Sequence, residues 1–143
     1  MSITAVQVAD AVVTALNAGE FTREFTAVRA FLPYFTSAQL ATVQVSVVPG
    51  GIEMTPVTRA NTLDVLSVDI GVIKNVDPGD GDEINNLINF VHEIIEYMRG
   101  LKLTAQPNAS WFKTAVDPLY SEEQLSQNKC FMSILTVSYK TLS

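Results

Sequence analysis

The spacing of apolar residues between Asp82 and Gly100 predicts an amphipathic α-helix. No strand pattern fits it, and polar residues fill the opposite positions. Asp80 or Asp82 is a suitable N-cap, because a carboxylate accepts from the free N–H groups at a helix start. Arg99 and then Gly100 favour the helix end. The apolar stripe consists of Ile84, Leu87, Ile88, Val91, Ile94, Ile95 and Met98. A single helix cannot bury such a stripe, so other elements must cover it.

A lighter stripe near the N-terminus predicts a first helix, from a cap at Ser2 to about Asn17, ended by Gly19. Its apolar positions are Ala5, Ala9, Val12, Val13 and Leu16. The two alanines make this stripe smaller than that of the second helix, which therefore supplies more of the predicted core.

Alternating apolar and polar residues predict strands for most of the remaining chain. The predicted strands cover residues 21–31, 43–47, 52–57, 63–74, 111–116 and 130–141. Short helical turns are predicted up to Leu40, capped by Thr36 or Ser37, and after a cap at Ser121. The last strand is apolar on both faces, which indicates an interior place in the sheet. These elements predict a single α+β domain over residues 1–143: an antiparallel or mixed β-sheet of about five strands with two main helices packed on it.

The Pro49-Gly50-Gly51 tripeptide predicts a turn, after which the chain returns as the second arm of a hairpin. Pro56 makes that arm an edge strand or a projecting segment, since proline cannot donate to a ladder. The segment mixes apolar with charged side chains, which is typical of a protein interface. The candidate interface residues are Ile52, Glu53, Met54, Val57 and Arg59. An ordinary solvent-exposed hairpin explains the same pattern equally well.

Composition and charge exclude several classes of protein. Hydrophobic residues make up 48% of the 143 residues, which argues against disorder. No apolar run approaches the roughly 18–20 residues that span a membrane. No basic segment precedes an apolar one at the N-terminus, so no signal peptide is expected. The formal charge of −6 disfavours a non-specific grip on nucleic acid. The single cysteine, Cys130, is expected to be a buried, inert thiol.

Two features bear on catalysis or metal binding, and each has a simpler explanation. His92 is the only histidine; it is either a surface residue or a general base without a visible nucleophile. The acidic residues Asp77, Asp80, Asp82 and Glu83 form either a turn with a helix cap or an oxygen-rich calcium site. The early aromatic residues form either core or a subunit contact; they are Phe21, Phe25, Phe31, Tyr34 and Phe35. No catalytic, cofactor-binding or metal-binding residue is assigned.

Five stretches, taken in order, resemble the tail terminator proteins of phages and prophages. They are residues 25–33, 45–49, 68–72, 83–99 and 131–140. The resemblance implies an α+β subunit that forms a homo-oligomeric ring, a hexamer, at the end of a tail tube. Such a ring stops tube polymerisation and joins the tail to the head or neck. Head-completion and neck connector proteins are an alternative class of similar size.

The same resemblance implies a virion location, with assembly in the host cytoplasm. The implied partners are further copies of the chain, the tail tube protein and a neck or head-completion protein. DNA only passes through the lumen of such a ring, no membrane is involved, and neither catalysis nor a cofactor is implied. A remoter alternative is a small hydrolase that uses His92 and the acidic loop.

Overall fold

A computed structural model describes residues 3–30, 39–104, 106–116 and 119–142. Two long helices and five strands make up most of this part of the chain. In order, the elements are α1 (Ala5–Ala18), β1 (Ala27–Arg29), a 3-10 turn (Gln39–Ala41), β2 (Gln44–Pro56), β3 (Thr62–Asn75), α2 (Gly81–Met98), β4 (Ser110–Ala115), α3 (Glu122–Asn128) and β5 (Cys130–Leu142).

The five strands form one mixed sheet in the order β1-β2-β3-β5-β4. β1 runs parallel to β2, and the other neighbouring pairs are antiparallel. The predicted α+β class, with about five strands and two main helices, is confirmed. β5 lies between β3 and β4, so the interior place that its two-sided apolarity predicted is also confirmed.

The predicted central helix is α2. Asp80 is its N-cap and accepts a hydrogen bond from the backbone N–H of Glu83, while Gly100 follows the helix with φ of 67°. The deeply buried side chains are Leu87, Phe90, Val91, Ile94 and Met98. The predicted stripe was therefore partly wrong: it omitted Phe90, and it included Ile84, Ile88 and Ile95, which are only partly buried.

The first helix begins two residues later than predicted. Thr4 is the N-cap, and a capping box joins its hydroxyl to the backbone of Gln7, whose side chain accepts from the backbone N–H of Thr4. The predicted cap, Ser2, lies outside the described residues. Gly19 ends the helix as predicted, and the buried side chains are Val8, Ala9, Ala11, Val12 and Leu16.

The strand predicted over residues 21–31 is much shorter in the structure. Only Ala27–Arg29 is strand, because Phe21 and Phe25 turn inward to meet Phe90 of α2 at ring-centroid distances of 6.1 and 5.4 Å. Their role in the core is thereby established. The other early aromatics, Phe31, Tyr34 and Phe35, and the predicted turn caps Thr36 and Ser37 lie outside the described residues.

The helices α1 and α2 share one core with a single face of the sheet. This helix face carries alternate residues of the strands, all with no exposed surface: Val45, Val47, Val68, Ile70, Val72, Leu135, Val137 and Tyr139. The intervening residues point to the opposite face, which we call the far face. Within the described ranges, no helix is both long and apolar enough to cross a membrane.

Candidate interface at the arm

The chain does not turn at Pro49-Gly50-Gly51, so that prediction was wrong. β2 continues through these residues with a shift of register between Pro49 and Ile52. A Cβ atom on Gly50 would lie 3.0 Å from the carbonyl oxygen of Ser67 on β3, so this glycine permits a close approach of the two strands. The chain reverses over residues 57–61 instead, where the Asn61 carbonyl accepts from the N–H groups of Val57 and Thr58.

We call residues 51–62 the arm. The arm does not leave the sheet, as a projecting segment would: Ile52 pairs with Leu66, and the ladder runs on to Pro56 opposite Thr62. β2 is the edge strand at this level, because β1 pairs only with Val45–Val47. Proline is tolerated on such an edge, because proline has no N–H to donate and no second ladder requires a donor there.

The arm is nevertheless the most solvent-exposed segment of comparable length in the described chain. Every residue from Gly51 to Asn61 is exposed. Ile52, Met54 and Val57 keep 60%, 61% and 57% of their surface accessible to water. Ile52 and Met54 alternate along the strand, so both lie on the helix face, beyond the part that is fully covered.

The charged residues of the arm do not share the sheet face of Ile52 and Met54. Glu53 faces the far side of the sheet opposite Val65, and Arg59 lies in the reversal. Within the described part of the chain, neither is within 4 Å of an oppositely charged group. All five candidate interface residues are therefore exposed on one arm, with apolar side chains in the strand and a free cation near the tip.

The free edge of β2 carries features that oppose sheet extension. The irregular register at Pro49, the charge of Glu53 and the ring of Pro56 each discourage another strand from adding to an edge. A partner at the arm is thus expected to contact side chains and not the backbone ladder.

His92 and the acidic residues are not brought together. His92 is exposed on α2, twelve residues beyond the Asp80 cap, which at the helical rise is a separation of about 18 Å. Asp77 accepts from the N–H of Gly79, and Glu83 forms ion pairs with Arg23 and Lys74. Among the described residues, no group of three or more His, Cys, Asp or Glu is placed to hold a metal. The acidic stretch is a turn, a helix cap and an ion-pair site.

Cys130 is buried at the start of β5. Burial raises the pKa of its thiol, with a smaller opposing effect from a backbone hydrogen bond at Lys74. A raised pKa reduces the thiolate fraction at neutral pH, and the thiolate is the reactive form. The expected inert thiol is what this geometry provides.

One surface feature was not visible in the sequence pattern. The sequence predicts a plain strand over residues 111–116, but β4 carries a bulge between Trp111 and Lys113 that leaves Phe112 as an extra residue. Phe112 is 46% exposed and lies between two lysines, with Lys113 Nζ at 5.8 Å and Lys140 Nζ at 5.6 Å from its ring centre. Only the pairing with β5 defines this bulge, so no local signal predicts it.

No known protein family matches the chain, and no curated protein sequence matches it either.

Proposed function

We propose that this protein is a structural subunit that forms a ring at the end of a phage tail tube, ends tube polymerisation and joins the tail to the head or neck. The observation that carries the proposal is the arm, where three large apolar side chains are exposed within six residues, two on the edge strand β2 and Val57 directly after it. The order of the strands and helices along the chain also suits the resemblance to tail terminator proteins.

The exposure of the arm favours a partner. Scattered apolar residues are common on protein surfaces, but a group of them rimmed by charge usually marks an interaction site. Ile52, Met54 and Val57 form an exposed apolar group, with Arg59 in the adjacent reversal and Glu53 on the opposite face of the same strand. Methionine, in addition, is enriched in interfaces because its flexible side chain adapts to a partner surface.

A ring places a specific demand on this surface. In a closed ring with more than two members, each contact is head-to-tail, so the arm of one copy must meet a different surface of the next. The arm lies at one end of β3, where its exposed side chains are accessible to such a contact. The hexameric number, the tail tube and the neck or head-completion protein are proposed from the resemblance.

The test is a pair of substitutions that remove the apolar contact and keep the ladder. Deleting residues 52–58 would also remove the partners of β3, so Ile52→Ser with Met54→Ser is the cleaner variant. Both side chains are exposed, and the monomer should therefore fold normally. We expect this variant to leave tail tubes overlong or unjoined to heads in a complementation assay, as seen by negative-stain electron microscopy.

The matched control is Val6→Ser, which removes an apolar side chain on α1 that is 46% exposed and lies outside the arm. It should leave tails of normal length. Normal virions from the Ile52→Ser/Met54→Ser variant would contradict the proposed use of the arm.

A further inference from the structure

The far face of the sheet carries a groove beside the arm. Its volume is about 490 Å³, and its floor includes Leu63, Val65 and Ser67 of β3. One wall belongs to the arm, through Ile52, Glu53 and Thr55, and the other to β4, through Phe112 and Lys113. Lys140, which pairs with Val65 and lies against the Phe112 ring, adds a second cation. We call this site the basic groove.

The two lysines of the groove are available to a ligand. Neither Lys113 nor Lys140 has a carboxylate within 4 Å in the described ranges. The bulge in β4 turns Phe112 toward them, as bulges commonly re-aim a side chain. The groove thus combines a partly apolar floor, an exposed aromatic ring and two lysines, with Glu53 on the arm wall, and the excess of positive charge fits a short acidic segment.

The same chain carries such a segment just after the C-terminal end of β3. The acidic turn, residues 77–82, holds three aspartates, one proline and two glycines. All six residues are exposed. No lysine or arginine nitrogen lies within 4 Å of Asp77, Asp80 or Asp82 among the residues that the structure describes.

One molecule cannot bring these two surfaces together. Both are linked by β3: the groove lies near Val65, and the acidic turn follows Asn75. Ten residues of strand separate these positions, a distance of roughly 33 Å. The complementary charges can therefore meet only between copies. A head-to-tail contact, in which the groove of one copy takes the acidic turn of the next, is the form that a ring requires.

We propose that the basic groove of one copy binds the acidic turn of the next copy. This inference rests on the proposed ring. It identifies the acidic turn as the surface that contacts the arm end of the neighbouring copy. Ile52, Glu53 and Thr55 of the arm line the groove, so the acidic turn would dock at the arm, on the sheet face opposite the side chains of Ile52 and Met54. Since the paired charges lie near the surface, the contact should weaken as salt concentration rises.

Charge reversal tests the pairing. One variant is Lys113→Glu/Lys140→Glu, and the other is Asp77→Lys/Asp82→Lys, which keeps the Asp80 cap. Each should raise the concentration at which rings form by about tenfold or more, as measured by sedimentation velocity. Because Asp77 supports its turn, Asp82→Lys alone serves as a milder variant with a smaller shift.

An equimolar mixture of the two double variants provides the sharper measurement. Each contact in an alternating ring would again join opposite charges, so the mixture should assemble near the wild-type concentration. The control Arg99→Glu/Lys102→Glu makes the same change in net charge as Lys113→Glu/Lys140→Glu, at exposed residues outside both surfaces, and should assemble nearly as the wild type does.

Three outcomes would overturn the inference: unchanged ring formation by both folded double variants, failure of their mixture to assemble, or a wild type that stays monomeric at its highest soluble concentration. The proposed function is tested separately, by whether the wild type caps tail tubes. If the wild type caps tail tubes and both charge-reversal variants still form rings normally, the groove contact would be overturned and the proposed function would stand.

Discussion

Two strand segments follow the same alternating pattern but have opposite surroundings. In β3, Val68, Ile70 and Val72 alternate with smaller or polar residues and are fully buried under the helices. In the arm half of β2, Ile52 and Met54 alternate just as regularly and are about 60% exposed, although Leu66, the partner of Ile52 on β3, is buried. Alternation thus identifies which side chains favour burial. It does not say whether they are buried by the same chain or by a partner.

The largest expected difference between the two regions is in stability. Phe90→Ala should lower the free energy of unfolding by about 3–5 kcal/mol, because the ring is fully buried and its loss leaves a cavity. Ile52→Ala, at the exposed end, should stay within about 0.5 kcal/mol of the wild type. Urea denaturation of both variants measures the contrast, and similar losses for the two would contradict the assigned core.

A second comparison lies within α2 itself. Ile94→Ala should cost about 2–5 kcal/mol, whereas Ile88→Ala should cost clearly less, because only Ile94 is fully buried. The apolar spacing of α2 includes Ile88 and Ile95 in the predicted stripe, so the sequence alone predicts that alanine there is as costly as at Ile94. Denaturation midpoints that rank Ile88→Ala above Ile94→Ala would restore that expectation and refute the helix orientation.

A smaller effect is expected at the start of α2. Asp80→Ala should cost about 1 kcal/mol, because the carboxylate no longer accepts from the N–H of Glu83. Asp82→Asn is the matched control: it changes an acidic residue in the same turn that is not the cap. Equal thermal shifts for the two variants would mean that the local charge matters, and not the cap.

The smallest effect at neutral pH is expected for Tyr139→Phe. Burial raises the pKa of the Tyr139 hydroxyl well above its ordinary value of 10.0, and that hydroxyl finds no hydrogen-bond partner in the part of the chain that is described. Removing it should leave stability at pH 7 unchanged or slightly higher, since an unpaired buried polar group is costly.

The pH dependence of the stability of this variant tests the burial of Tyr139 more directly. Above about pH 10 the unfolded tyrosine loses its proton while the folded one keeps it, so wild-type stability should fall as pH rises. Tyr139→Phe should lack that component. Parallel stability curves for the two proteins between pH 9 and pH 11 would show that Tyr139 is not buried in a protonated form.

The features predicted correctly from the sequence depend on local periodicity. The helix spacing of α2, the alternation of β3 and the Ser121 cap of α3 are each specified by neighbouring residues, and each is present. The features that were missed depend on distant partners. Gly50 looks like a turn residue until Ser67 is seen across the ladder, and Phe25 fits a strand until the ring of Phe90 meets it.

The candidate interface shows the same division. Composition and Pro56 were sufficient to place an exposed edge segment at residues 51–62, with all five candidate residues on it. The reversal at residues 57–61 and the basic groove were not predicted, because the first depends on ladder register and the second on a bulge opposite β5.

The most direct test of the proposed function is negative-stain electron microscopy of the purified protein, alone and added to tail tubes. Closed rings of uniform size that sit on tube ends are expected for the wild type, and their loss is expected for the folded Ile52→Ser/Met54→Ser variant. Bare tube ends with the wild type, or identical rings from the variant, would contradict a ring built through the arm.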